Sequence, residues 1–159
     1  MNLDKLDIAI LEALQKDARL SLQELGKQVG LTASPCWNRV RRMEEAGVIE
    51  GYSVRVNPEK VGLAETVILN VTLDNHSDEA LFDFGQALEA IPEVMEAYLV
   101  SGDYDYYIRV AVDGTRGYER FLREQLYKIP GIRNSRSSFV LRRLKQSQLP
   151  LRRSTLNEG

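Results

Sequence analysis

Residues 21–49 read SLQELGKQVGLTASPCWNRVRRMEEAGVI. Ser21-Leu22-Gln23-Glu24 has the spacing of a capping box, in which Glu24 at the third helical position answers the Ser21 amide. Leu22, Leu25 and Val29 then share one apolar face, and Gly30 is a residue that can end the helix in a left-handed conformation. Thr32 or Ser34 can cap a second helix, whose first turn tolerates Pro35 because that amide has no intrahelical partner. Cys36, Val40 and Met43 recur at i, i+4 and i+7 and predict its inner face. Ser34, Asn38, Arg41, Arg42 and Glu45 project broadly opposite, with Trp37 on the flank. The stretch predicts two short helices joined by a tight turn.

Lys27, Arg39, Arg41 and Arg42 precede Glu44 with no acid between them. A helix held by its inner face and showing Ser, Asn and Arg outward suits a DNA major groove. There Arg reads guanine, Asn reads adenine and hydroxyls meet phosphates. The competing reading is an ordinary helical hairpin with a solvated basic face. On the DNA reading the candidates are Ser34, Trp37, Asn38, Arg41 and Arg42, supported by Thr32 and Arg39. Trp37 either stacks on a sugar or thymine methyl or covers the adjacent helix. Arg39, beside the core face, either contacts phosphate or braces the bundle through an acid such as Glu12 or Glu44.

The formal net charge of the 159 residues is −2, which at first sight disfavours nucleic acid. Its distribution reverses that inference. Residues 1–60 carry nine basic and nine acidic residues, residues 61–124 four against thirteen, and residues 125–159 eight against one. Local charge governs contact with DNA, and here a basic helix is followed by an acidic middle and a basic tail. With 43% hydrophobic and 28% charged residues, the composition is that of an ordinary soluble protein. No apolar run approaches a membrane span, and MNLDKLDIAI is too acidic for a secretory signal. A single cysteine excludes an internal disulfide and fits a reducing, cytoplasmic setting. One histidine and one cysteine leave little for a zinc site or a Cys/His catalytic pair. Cys36 reads as a buried structural thiol, and His76 as a solvated residue of a polar turn.

Before the helical pair, residues 3–17 predict a first helix with Leu6, Ile10, Leu11 and Leu14 inward. After it, Val48–Ile49, Gly51 and the alternating Tyr52–Val56 predict a two-stranded wing, which Asn57-Pro58 stops. The first domain is placed at residues 1–60, with a linker at 57–64. The second half changes period. Val67, Leu69, Val71 and Leu73 alternate as a strand; Leu81, Phe84, Leu88 and Ile91 repeat as a helix; Val94–Val100 and Tyr106–Val112 are strands. Tyr118, Phe121, Leu122, Leu126 and Ile129 form a further helix before a last strand over Ile132–Leu141. The order β-α-β-β-α-β is the ferredoxin-like arrangement, expected over residues 61–145. An internal echo agrees with it: Ile91-Pro92-Glu93-Val94 and Ile129-Pro130-Gly131-Ile132 stand 38 residues apart, each taking helix into strand. Both helices must cover one sheet face, so the other is expected to present an apolar patch and to make the chain an obligate homodimer. Residues 146–159 read as a flexible basic tail, facing either an acidic neighbouring subunit or DNA phosphates.

The chain resembles the Lrp/AsnC family of transcriptional regulators. The resemblance rests on Leu3-Asp4…Asp7…Ile10-Leu11…Leu14-Gln15…Ala18-Arg19 and on Leu25…Val29-Gly30-Leu31…Ser34-Pro35-Cys36…Arg39-Val40…Met43-Glu44…Gly47-Val48-Ile49…Tyr52. In the second half it rests on Gly102-Asp103-Tyr104-Asp105-Tyr106 and Ser137-Ser138-Phe139-Val140-Leu141. It implies an α+β chain with an N-terminal winged helix-turn-helix and a small-molecule-sensing ferredoxin-like domain. It also implies dimers that assemble into tetramers or octamers, a free amino acid as effector, and no catalysis.

The loop Ser101–Asp105 carries the effector reading. Gly102 allows close backbone approach, free amides can hold a carboxylate, and Asp105 or a nearby carbonyl can hold an ammonium. On its residues alone the loop is equally a Gly- and Asp-rich hairpin turn. The resemblance turns the preference and implies Tyr98, Ser101, Gly102 and Asp105, with Ser137 and Ser138 from a neighbouring subunit. Asp103 and Asp105 without further ligands do not suggest a metal. Two rivals are an effector-independent architectural protein that wraps DNA and an enzyme on the ferredoxin-like domain. The second lacks a nucleophile–base pair, a metal cluster and a phosphate loop. No catalytic cofactor is expected, and the chain is expected in the cytoplasm at the nucleoid.

Overall fold

The structure is a computed structural model that describes residues 1–151; Arg152 and Arg153 of the expected basic tail lie outside the described residues. The described chain divides into two compact units, residues 1–54 with residues 145–151, and Arg55–Leu144.

The first unit contains α1 (Lys5–Lys16), α2 (Leu22–Val29) and α3 (Ala33–Glu45). Asp4 caps α1 in a reciprocal box with Asp7, and Ser21 caps α2 in the expected box with Glu24. Gly30 ends α2 in the left-handed region, at φ 75°, which a side chain would resist. Thr32 stands at the N-cap of α3 but makes no side-chain cap bond. Ile10, Ala13, Leu25, Cys36, Val40 and Met43 form the core, with Leu11, Leu14, Val29 and Leu31 packed around it. Leu22, expected inward, is 37% exposed.

The strands expected over residues 48–56 do not pair within this chain. Among the described residues no strand is assigned between α3 and the 3-10 turn at Glu59–Val61. Val48 and Ile49 donate their amides to the Met43 carbonyl at 2.8 and 3.2 Å. They close the end of α3 instead of opening a ladder. A strand without a hydrogen-bonded neighbour is only extended chain, and Val54 on it is 86% exposed.

The second unit runs β1 (Glu65–Leu73), α4 (Asp78–Glu89), β2 (Val94–Leu99), β3 (Tyr106–Val112), α5 (Thr115–Glu124), a 3-10 turn at Leu126–Lys128 and β4 (Ile132–Phe139). The sheet order is β2-β3-β1-β4, every neighbour pair antiparallel. This is the ferredoxin-like topology that the βαββαβ pattern implied. Val67, Leu69, Val71 and Leu73 of β1 and Tyr106, Ile108, Val110 and Val112 of β3 are buried beneath Phe84 and Leu88 of α4 and Tyr118 and Phe121 of α5. Strand period 2 therefore sends every valine of these two strands toward the helices.

The open face differs from the apolar patch expected of it. It carries Ile68 and Asn70 of β1, Tyr107, Arg109 and Ala111 of β3, Glu96 and Tyr98 of β2, and Arg136 and Ser138 of β4, as the register requires. Glu96 and Arg109 form a two-pronged ion pair on it, and the Tyr98 and Tyr107 rings lie 6.2 Å apart. The face is aromatic and polar together.

Candidate functional site

On α3, burial of Cys36, Val40 and Met43 leaves Ser34, Trp37, Asn38, Arg41 and Arg42 exposed along the opposite side, with Thr32 exposed at the N-cap. The five helical candidates share one face, as the 3.6-residue period demands, and Thr32 stands outside the helix at its cap. The Arg41 guanidinium lies over the Trp37 ring, 5.2 Å from its centroid, and its Nε donates to Glu45 Oε1 at 2.7 Å. Both members of that ion pair are more than half exposed. A solvated i,i+4 pair is worth only about 0.3–0.5 kcal/mol, so Arg41 can exchange Glu45 for a stronger acceptor.

Arg39 is committed elsewhere. Its Nη1 donates to Asp4 Oδ2 and to Asp7 Oδ1, each at 2.7 Å. It does brace the bundle, through the acids that start α1. Glu44 instead accepts from the Tyr52 hydroxyl at 2.8 Å. Among the described residues Asp7 is the buried charge of the unit, at 0% exposure. Its Oδ2 accepts from Arg42 Nη2 at 2.8 Å and from the Asp4 amide at 3.0 Å. A buried carboxylate must be neutralised and saturated with donors, and two guanidiniums and one amide do this. Bonds from the Asp7 amide, against some desolvation, and from Arg39 hold the Asp4 carboxyl below its ordinary range. Asp7 was legible in principle: Leu3, Asp7, Ile10 and Leu14 fall on one helical stripe, and an acid on such a stripe calls for cations opposite.

The Cys36 thiol is buried, and desolvation pushes its pKa upward. Such a thiol is poorly nucleophilic, as expected of a packing residue.

In the second unit Ser101, Gly102 and Asp105 come together in the turn joining β2 to β3. The Val100 amide donates to the Asp105 carbonyl at 2.9 Å, and Gly102 sits at φ 126°. Tyr98 lies three residues back on the open face, 52% exposed. The Asp105 carboxylate is tied to its own sheet: Oδ2 accepts from the Leu73 amide at 2.7 Å and lies 2.9 Å from His76 Nε2. His76, expected to be merely solvated, therefore links the loop after β1 to the β2–β3 turn. No spacing rule signals a contact between residues so far apart in the chain.

Ser137 and Ser138 are not brought to that turn within one chain. They lie on β4, the edge strand opposite β2, and as consecutive strand residues they point to opposite faces. Ser137 is on the helix side, hydrogen-bonded to the Tyr118 hydroxyl, whose pKa burial pushes upward. Ser138 stands opposite Ile68 on the open face. Among the described residues no group of three or more His, Cys, Asp or Glu could hold a metal, and no helix is long and apolar enough to cross a membrane.

Comparison with known proteins agrees with both halves. The Lrp/AsnC ligand-binding domain matches residues 66–150, and a winged helix-turn-helix DNA-binding domain matches residues 3–50. The leucine-responsive regulatory protein of Escherichia coli is 38% identical over 146 residues, covering 92% of this chain and 89% of that protein. A Neisseria meningitidis transcriptional regulator solved as its L-Met complex superposes with TM-score 0.88 at 32% identity, covering 94% of this chain and 97% of that one. An AsnC family regulator from Agrobacterium tumefaciens superposes with TM-score 0.88 at 39% identity, covering 93% and 97% of the two chains. The relatives are transcriptional regulators and not enzymes.

Proposed function

The chain belongs to the Lrp/AsnC family of DNA-binding transcriptional regulators, and from that premise we propose that α3 reads operator DNA under control of a free amino acid bound at the β2–β3 turn. The observation that carries the DNA half is the single exposed face of α3. Arg41, Arg42 and Asn38 are placed to read base edges, Ser34 and Thr32 to meet phosphates, and Trp37 to pack on a sugar or a thymine methyl. Arg39, bound to two carboxylates, acts as the brace that sets the pitch of this helix.

The effector half is supported by the ligand-binding match over residues 66–150 and by the L-Met bound to the Neisseria relative. Ser101 and Gly102 offer backbone at a turn that a ligand can approach closely. Asp105 shapes that turn through Leu73 and His76, and Tyr98 stands beside it. Ser138, and Ser137 behind it, reach such a site only from a neighbouring subunit. The chain is therefore an oligomer, a dimer through the sheet domain and larger assemblies of dimers, acting at the DNA of the cytoplasm. A ligand-binding domain does not favour the effector-independent architectural reading.

The test uses a duplex selected from a random pool by the wild-type protein. Arg41→Ala weakens its binding by about 1–3 kcal/mol and relaxes the preferred base at one position. Unchanged affinity and footprint at matched salt remove Arg41 from the reading face.

A further inference from the structure

Three arginines lie on α3, and their environments are unequal. Among the described residues the partners of Arg41 are an exposed glutamate and a tryptophan ring. Arg39 and Arg42 both reach Asp7, one to each carboxylate oxygen. The Asp7 side chain is wholly shielded from solvent, whereas the Arg42 side chain remains 52% exposed and that of Arg39 25% exposed. Asp4 takes a further bond from Arg39. Two carboxylates of α1 are thus matched against two of the three guanidiniums of α3.

A free arginine on a DNA-facing helix attracts any phosphate, whatever the sequence, and each such contact steepens the salt dependence of binding. An arginine bonded to a buried acid gives up that freedom. Arg42 spends one N–H on Asp7 and presents the rest of a planar fork at a fixed angle. Arg39 is withheld almost entirely. Arg41 alone remains free to choose its acceptor.

We propose that Asp7 is a specificity-determining positioning residue of this regulator: it orients Arg42 and withholds Arg39, so that binding energy is concentrated in sequence reading and kept low on arbitrary DNA. This rests on the assignment of α3 as the reading helix and identifies the residue that tunes it from the neighbouring helix.

The experiment measures affinity of the full chain for the selected duplex and for a scrambled duplex of equal length, across salt. Asp7→Asn keeps the shape of the side chain and removes its charge. Binding to the selected duplex falls tenfold or more, while the salt slope on the scrambled duplex steepens by about one unit for each arginine released. The double variant Asp7→Asn with Arg39→Gln loses about one unit of that extra slope again. Equal loss on both duplexes, in step with a fall in Tm and with unchanged slopes, reduces Asp7 to a packing role and overturns the proposal. Should Asp7→Asn not fold, Arg39→Gln alone decides: the proposal requires its scrambled-duplex slope to equal that of the wild type, and a loss of about one unit overturns it. Failure of the underlying assignment looks different. In that case the wild type shows no preference between the duplexes, or Arg41→Ala binds both as the wild type does.

Discussion

Gly26 illustrates how little space the turn between α2 and α3 leaves. A Cβ there would stand 2.6 Å from the Leu31 carbonyl oxygen, and the Leu31 amide already donates to the Gly26 carbonyl at 2.8 Å. The two backbones touch, and neither can move without opening the turn. Gly26→Ala is expected to destabilise the N-terminal unit by about 2 kcal/mol, read as a loss in chemical or thermal denaturation. Gly30, by contrast, has open space around it and needs only its left-handed backbone; Gly30→Asn is expected to cost less than half as much. If the two substitutions cost the same, steric contact at Gly26 is not the controlling effect. Gly30 was readable as a helix stop from its place after Val29. Gly26 was not, because a close approach between residues five apart depends on the path of the turn. The same contrast separates Cys36, whose inward phase predicted its burial, from His76, whose bond to Asp105 joins two loops that only the folded sheet makes adjacent.

Helix α3 is followed by chain that leans on it. Val48 and Ile49 cap its last turn, and the Tyr52 hydroxyl reaches back to Glu44. Desolvation of that hydroxyl, with its hydrogen bond to Glu44 and the carboxylate charge there, pushes the Tyr52 pKa from 10.0 up to about 12. A phenol whose folded pKa exceeds its unfolded one supports stability below the unfolded value. That contribution is full below pH 10.0 and is lost as pH rises toward about 12. In an absorbance titration at 295 nm, Tyr52 is expected to ionise late, in the phase to which burial also assigns Tyr106 and Tyr118. Tyr52→Phe shrinks that phase; an unaltered late phase means that the Glu44 bond does not persist in solution. The expected strands at residues 48–56 misled because alternation reports only which side chains could share a face. Whether the amides find a ladder partner is a separate question, and here two of them had a better acceptor in Met43.

The sheet domain presents the larger surface question. Its open face combines Tyr98, Tyr107, Ile68 and Ala111 with the Glu96–Arg109 pair and Arg136. A face of this kind associates through aromatic contact and paired charge more than through bulk apolar burial. Light scattering at micromolar concentration is expected to give a dimer or a larger assembly, and L-methionine or L-leucine to change the size distribution or raise the Tm. At a concentration one hundred times Kd, a ligand confined to the folded state adds about 2.7 kcal/mol of stability. A monomer removes the sheet-face interface, and indifference to all free amino acids removes the effector reading. The element order and the two domain classes followed from periodicity and capping, which are short-range properties: 3.6 against 2, Ser or Asp before a helix, Gly after it. The charge split likewise needed no coordinates to show that a net negative chain can carry a basic reading helix. The partners of Arg39, the tie of Asp105 to Leu73 and His76, the separation of Ser137 from Ser138 by the plane of the sheet, and the polar character of its open face depended on long-range register. Period 2 says that neighbours on a strand diverge, but the pairing of β4 with β1 and the packing of α4 and α5 choose which of them meets the helices.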